Sequence, residues 1–214
     1  MAIYSDWLTS AAWEVFTKGL AYPFFKFAHF VRSKSPYKTV EICLRHRCHT
    51  TERYYERAFV SGADVLYVTI MSQASIKLMP KYLEQCKRTP GTRLRVLTWH
   101  GDTPSQVVEA YRRHLGEASH DPKRALQQVR QARDDWRALE KEYKNILTVR
   151  EYRSNPTMQG LIVSDRWAMV ELLPYTTPPG ERPALILNRK AEPELFSLFK
   201  NQWEKLWDDS ADLP

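Results

Sequence analysis

Thr157-Met158-Gln159-Gly160-Leu161-Ile162-Val163-Ser164-Asp165 runs directly into Arg166-Trp167-Ala168-Met169-Val170-Glu171-Leu172-Leu173-Pro174. Two apolar runs of strand length flank Ser-Asp-Arg, a trio suited to a turn, so the segment predicts a β-hairpin. Glu171 is the anomaly. It stands in an otherwise apolar strand, and a carboxylate buried there needs a partner.

Around this hairpin the rest of the chain alternates in period. Residues 64–71 (DVLYVTIM) form a nearly continuous apolar run, the pattern of a strand buried on both faces. Residues 75–86 read as a helix that Pro80 should kink or shorten. Residues 92–99 (TRLRVLTW) read as a second strand, and 103–116 as a helix with a Thr cap, Pro in its first turn and Gly at its end. In 121–145, Leu126, Val129, Ala132, Trp136, Leu139 and Tyr143 recur on one helical face, the stripe of a core helix. Consecutive strands then follow at 146–153, at both arms of the hairpin and at 184–190, with the Pro/Gly-rich YTTPPGERP before the last. A closing helix, 193–207, should present Leu195, Phe199, Trp203 and Leu206 to the sheet. This order predicts an α/β (mixed α+β) fold: a mixed β-sheet with helices on both faces.

The N-terminal part is different. Residues 7–31 are long and aromatic enough to suggest a membrane span, but Glu14, Lys18, Lys26 and His29 lie inside, with a break between Gly19 and Pro23. The reading is an aromatic amphipathic helical segment over 1–36. Packing on the chain's own core, on a protein partner, or at a membrane surface all stay open for it. The polar hinge SKSPYK (33–38) separates it from a main domain over 37–209, which opens with an alternating strand at 39–47 and a helix capped by Thr50 or Thr51 and ended by Gly62. Residues 210–214 read as an acidic tail.

Lys and Arg number 32 against 25 Asp and Glu, a net charge of +7 that permits anionic partners without naming one. The basic stretches VRSKSPYK and RHRCHTTERYYER carry aromatics, as nucleic-acid sites do, but Glu52 and Glu56 dilute them. Cys43, Cys48 and Cys86 make an odd count with no C-x-x-C pair and no signal peptide, which argues against a disulfide scaffold. His46 and His49 beside the first two cysteines have no second ligand pair at finger-like spacing, so no metal and no cofactor are expected. P-loop, dinucleotide-fingerprint and G-x-S-x-G motifs are absent from the sequence.

GTRLRVLTW, VVEAYRRHL, VREY, the hairpin, PALIL and LFSLFKNQWEKLW together resemble one half of the phospholipase D-like superfamily, over about residues 37–208. They are most similar to a bacterial group of such domains of unknown function. The resemblance implies a His-x-Lys-x-x-x-x-Asp motif, with His as nucleophile and Lys holding the phosphate charge. Anchored on Asp165, that motif places His at Met158 and Lys at Gly160. Methionine cannot attack phosphorus and glycine cannot neutralise an oxyanion. The scaffold is therefore expected without its usual chemistry. Two halves normally meet across the motif strands, so the resemblance also implies a homodimer with Met158 and Gly160 at its interface.

Arg150, Glu151, Arg153, Asp165, Arg166, Trp167 and Glu171 are the candidate binding residues, because Arg150 and Arg166 suit a bidentate grip on phosphate. Trp167 either stacks on a base or packs in the core, and Arg150 with Glu171 either serves a ligand or forms an ion pair across adjacent strands. His100, at a strand end, is the catalytic candidate if the active centre has moved; His114 and His120 lie on or after helices. The sequence reading is a pseudoenzyme, cytoplasmic or membrane-peripheral, that senses an anionic small molecule such as a nucleotide or binds a protein partner in a regulatory or defence role. A membrane-proximal or nucleic-acid-associated effector and a relocated phosphodiesterase are the alternatives.

Overall fold

The structure is a computed structural model, which describes residues 41–44, 55–59, 62–70, 73–101, 122–154, 157–173 and 183–212. The aromatic N-terminal segment, the hinge, the expected helix at 103–116, His46, Cys48, His49, His114, His120 and the YTTPPGERP connection lie outside them.

Eleven elements follow in chain order. They are β1 (Glu41–Leu44), β2 (Asp64–Thr69), α1 (Gln73–Lys87), β3 (Arg93–Trp99), α2 (Pro122–Glu142) and β4 (Leu147–Tyr152). After these come β5 (Met158–Val163), β6 (Trp167–Leu172), β7 (Pro183–Asn188), α3 (Pro193–Asp208) and β8 (Ala211–Asp212). They build one eight-stranded mixed sheet in the order β1-β7-β6-β5-β2-β3-β4-β8. β2, β3 and β4 are parallel to one another, and every other pairing is antiparallel. The fold is mixed α/β with helices on both faces.

The two faces follow from side-chain alternation along each strand. One face carries Val65, Tyr67, Leu94, Val96, Leu147, Val149, Leu161 and Val163. Over it lie Met79, Tyr82 and Leu83 of α1 and Ala132, Trp136 and Leu139 of α2. The opposite face carries Leu66, Val68, Leu97, Tyr152, Ile162 and Val170, and α3 covers it. The stripe expected on α2 is the one that packs. On α3 the stripe is wider than expected: Phe199 and Trp203 are buried, Leu195 and Leu206 are partly buried against the same cluster, and Phe196 and Trp207 are buried beside them. The large aromatic side chains take the centre of the contact and leave the leucines at its margin.

Three local expectations need correction. Of the two effects expected of Pro80, shortening does not occur: α1 runs for 15 residues through it. Burial of Ile76, Met79, Tyr82, Leu83 and Cys86 on one side of α1 holds the helix despite the backbone bond that proline cannot make. β4 is not the neighbour of β5, because β2 and β3 lie between them. Only β5, β6 and β7 form the meander. Finally, Ala211 and Asp212, read as tail, pair with Glu151 and Arg150 as the short edge strand β8.

Two ion-pair clusters fix α3 to the sheet. Arg95, on the α3 face of β3, donates through Nε and Nη2 to Asp64 at 3.1 and 3.3 Å, and through Nη1 and Nη2 to Glu204 of α3 at 2.6 and 2.8 Å. At the hairpin turn Asp165 accepts from Lys200 Nζ at 2.5 Å and pairs with Arg189 at 2.9 Å. The Lys200 bond, with Arg189 beside it, holds the Asp165 carboxyl below the usual range. Ser164 turns the hairpin with φ of 49°. Its hydroxyl accepts from the Asp64 amide at 3.0 Å and its own amide donates to the Asp64 carbonyl at 2.6 Å, so β2 fixes the turn.

Candidate functional site

Met158 and Gly160 lie at the start of β5, on the face that α3 covers. Beside them the end of the sheet and α3 enclose a pocket of about 300 Å³. Val68, Tyr152 and Met158 form its sheet wall, and Trp203 and Leu206 of α3 face them. Lys205 and Asp209 stand at its rim and bond each other at 2.9 Å. The Tyr152 hydroxyl is buried without a hydrogen-bond partner, and burial pushes its pKa far above the ordinary tyrosine value, so it stays neutral.

Gly160 has its reason inside the chain. Its φ is 142°, and an added Cβ would collide with the Met169 carbonyl oxygen and lie 3.3 Å from Cη2 of Trp203. The glycine thus allows β6 and α3 to close over β5. The same position was expected to admit a second subunit; its close neighbours are instead a strand and a helix of the same chain.

The opposite face at this end of the sheet is polar. Glu171 of β6 stands opposite Gln159 of β5, Thr69 of β2 opposite Thr98 of β3, and Thr98 opposite Glu151 of β4. The Val68–Gly160 pair places Thr69 one step on, beside Gln159. Glu171, Gln159, Thr69, Thr98 and Glu151 therefore form a row across five strands. Glu171 and Glu151 are 4% and 8% exposed, and both threonines are buried. At one end of the row, Glu151 pairs with Nδ1 of His100 and faces Arg133 Nε of α2 at 3.7 Å. That gap is too long for a direct bond, and Arg133 Nε, Glu151 Oε1 and Thr69 Oγ1 are buried without hydrogen-bond partners. The row lies at the carboxyl ends of the parallel strands, where α/β sheets bind ligands.

The sequence candidates divide accordingly. Arg150, Glu151, Arg153, Met158, Gly160, Glu171 and His100 gather at this end of the sheet. Asp165, Arg166 and Trp167 lie at the other, a strand length away. Arg150 and Arg166 cannot grip one phosphate, and Arg150 and Glu171 cannot form a cross-strand pair, because three strands separate β4 from β6. Arg150 instead donates to the Trp207 carbonyl at 3.2 Å, with its guanidinium 4.7 Å from the Trp207 ring, and so caps the end of α3. Trp167 is buried in the core, with Arg57 stacked 4.9 Å from its ring, and Arg153 and Arg166 are exposed. Gln159, Thr69, Thr98 and Arg133 were not legible as site residues. Each is unremarkable in its own segment, and only the register of strands distant in sequence aligns them.

Among solved structures the chain is similar to the phosphatidylserine synthase of Haemophilus influenzae Rd KW20, with a TM-score of 0.53 and 14% identity over 81% of this chain. That enzyme is a member of the phospholipase D-like superfamily. The chain spans 39% of that enzyme's length, and at this identity the likeness is one of fold. No protein-family model matches the sequence. No curated protein matches it. Among the described residues, no helix is long and apolar enough to cross a membrane.

Proposed function

We propose that this chain is a phospholipase D-like module that has lost phosphoryl transfer and acts as a ligand-sensing or protein-interaction domain. The observation that carries the reading is the motif strand. Where the superfamily resemblance calls for His and Lys, the chain has Met158 in an apolar pocket wall and Gly160 under Trp203 and Met169. A lysine at 160 has no space, so the change goes beyond one lost side chain. A further part of the proposal, that a homodimer completes the arrangement, rests on the sequence resemblance alone. A nucleotide ligand draws no support from the arginines, since Arg150 caps α3 and Arg166 lies at the far end of the sheet. The test is hydrolysis of bis(p-nitrophenyl) phosphate by the purified chain. Background rates are expected for the wild type, for Met158→His and for Met158→His/Gly160→Lys. Turnover by the wild type that is lost in Met158→Ala would defeat the proposal.

A second reading, a relocated active centre, draws on the His100–Glu151 pair. A buried carboxylate on Nδ1 fixes the tautomer and orientation of an imidazole, as in acid–base catalysis. If the reading holds, wild-type turnover of the same ester is expected to fall by about 10² or more in His100→Ala, in line with loss of a general base, and to survive Met158→Ala. Turnover equal to background in the wild type removes it.

A further inference from the structure

We propose that the hairpin-turn end of the sheet, away from the pocket, is a docking surface for an anionic lipid bilayer.

The strand register lines cations along this end. Arg93 stands opposite Asp64 where β3 and β2 begin, and Val65, Val163, Trp167 and Asn188 continue the same level across β5, β6 and β7. Arg166 and Arg189 flank the ends of β6 and β7, and the Arg189 amide joins them by donating to the Arg166 carbonyl at 3.1 Å. Lys190 is next in the chain. At about 4.8 Å per strand, the steps from β3 to β7 spread these cations over roughly 19 Å. Such a rim suits an extended anionic surface better than one small anion.

The acids at this end do not cancel the rim. Asp64 and Glu204 share Arg95, and Asp165 is held by Lys200 and Arg189. Glu192 is buried, and Glu194, in the first turn of α3, is exposed. Arg93, Arg166 and Lys190 are exposed, and none of them enters an ion pair among the described residues. Anionic headgroups would supply the counter-charge, and each basic side chain near such a surface adds to the attraction.

Two observations favour a bilayer over a nucleic acid. The described residues at this end expose no aromatic ring on which a base could stack, because Trp167 is buried beneath Arg57. The same chain also carries Trp7, Trp13, Phe24 and Phe25 among Lys18 and Lys26, a composition suited to the lipid–water interface.

The test is flotation of the full chain with phosphatidylcholine vesicles, with and without phosphatidylserine. Binding is expected only with phosphatidylserine, and it should weaken as added salt screens it. Arg166→Glu/Lys190→Glu should lower the affinity at least about tenfold, with an unchanged circular-dichroism spectrum and Tm. Arg130→Glu/Lys141→Glu, at exposed positions on α2, makes the same change in net charge away from the rim and should leave most of the binding. Equal loss in the two variants would assign the attraction to net charge alone and overturn the proposal. Vesicle binding that the rim pair does not move, or that needs no phosphatidylserine, overturns it as well. Binding of a DNA duplex that the rim pair abolishes, without vesicle binding, overturns it in favour of a nucleic acid.

Discussion

Gly160→Ala is expected to prevent folding or to cost at least about 3 kcal/mol. Two effects coincide at this residue. Its φ of 142° lies in a region that L-residues rarely adopt. The added Cβ also meets backbone, the Met169 carbonyl group, which cannot swing aside as a side-chain tip can. Moving β5 to make room would break its register with β2 and β6 together. Urea denaturation followed by far-ultraviolet circular dichroism measures the effect. A loss under about 1 kcal/mol, no larger in size than the effect of a glycine replacement at a compatible site, would mean that α3 does not close over β5 as described. The prediction bears on function because the same closure removes the space a motif lysine would occupy.

Arg95→Ala is expected to cost about 2–3 kcal/mol, below the range for breaking a fully buried pair because the cluster is partly solvated. The substitution leaves two acids, Asp64 and Glu204, without the donor they share, and removes a cation 5.4 Å from the Trp207 ring. The loss should depend on pH. The hydrogen bond from Arg95 is the main reason the Glu204 carboxyl is held below its usual range. A carboxyl with a lowered folded pKa stabilises the fold above its unfolded value, about 4.3, and loses that contribution as pH falls through the folded value. The gap in stability between wild type and Arg95→Ala should therefore be full at neutral pH and narrow below about pH 4. Denaturation midpoints at several pH values measure it. A gap that stays constant down to acid pH would place the contribution of Arg95 in packing rather than in its ion pairs.

How far the sequence carries the reader depends on the range of the interaction. The hairpin at Asp165, the α2 stripe from Leu126 to Tyr143 and the buried run of β2 were legible, because each rests on periodicity or turn chemistry within one segment. The position of β4 was not. Its alternation looks the same whether it joins a meander or lies parallel to β3, and only the sheet order separates the cases. That error carried into the site: Arg150 was paired with Glu171 across a contact that does not exist. Glu171 was singled out correctly as a carboxylate in an apolar strand, but the row it belongs to runs through Gln159, Thr69 and Thr98, drawn from three strands far apart in sequence. The α3 stripe was read correctly at Phe199 and Trp203 but missed Phe196 and Trp207, for another reason. Side-chain size, with Phe196 and Trp207 outweighing Leu195 and Leu206, decided which residues filled the interface.

The central proposal is that a fold like that of the phosphatidylserine synthase is present here without phosphohistidine chemistry. The most direct measurement is trapping of the covalent intermediate: the purified chain is mixed with a phosphorus-labelled phosphodiester, quenched in alkaline denaturant, which preserves phosphohistidine, and examined by mass spectrometry of its peptides. The account predicts no phosphoryl adduct on any histidine. A labelled histidine, at His100 or elsewhere, would contradict it and show that the fold has kept its chemistry on another residue.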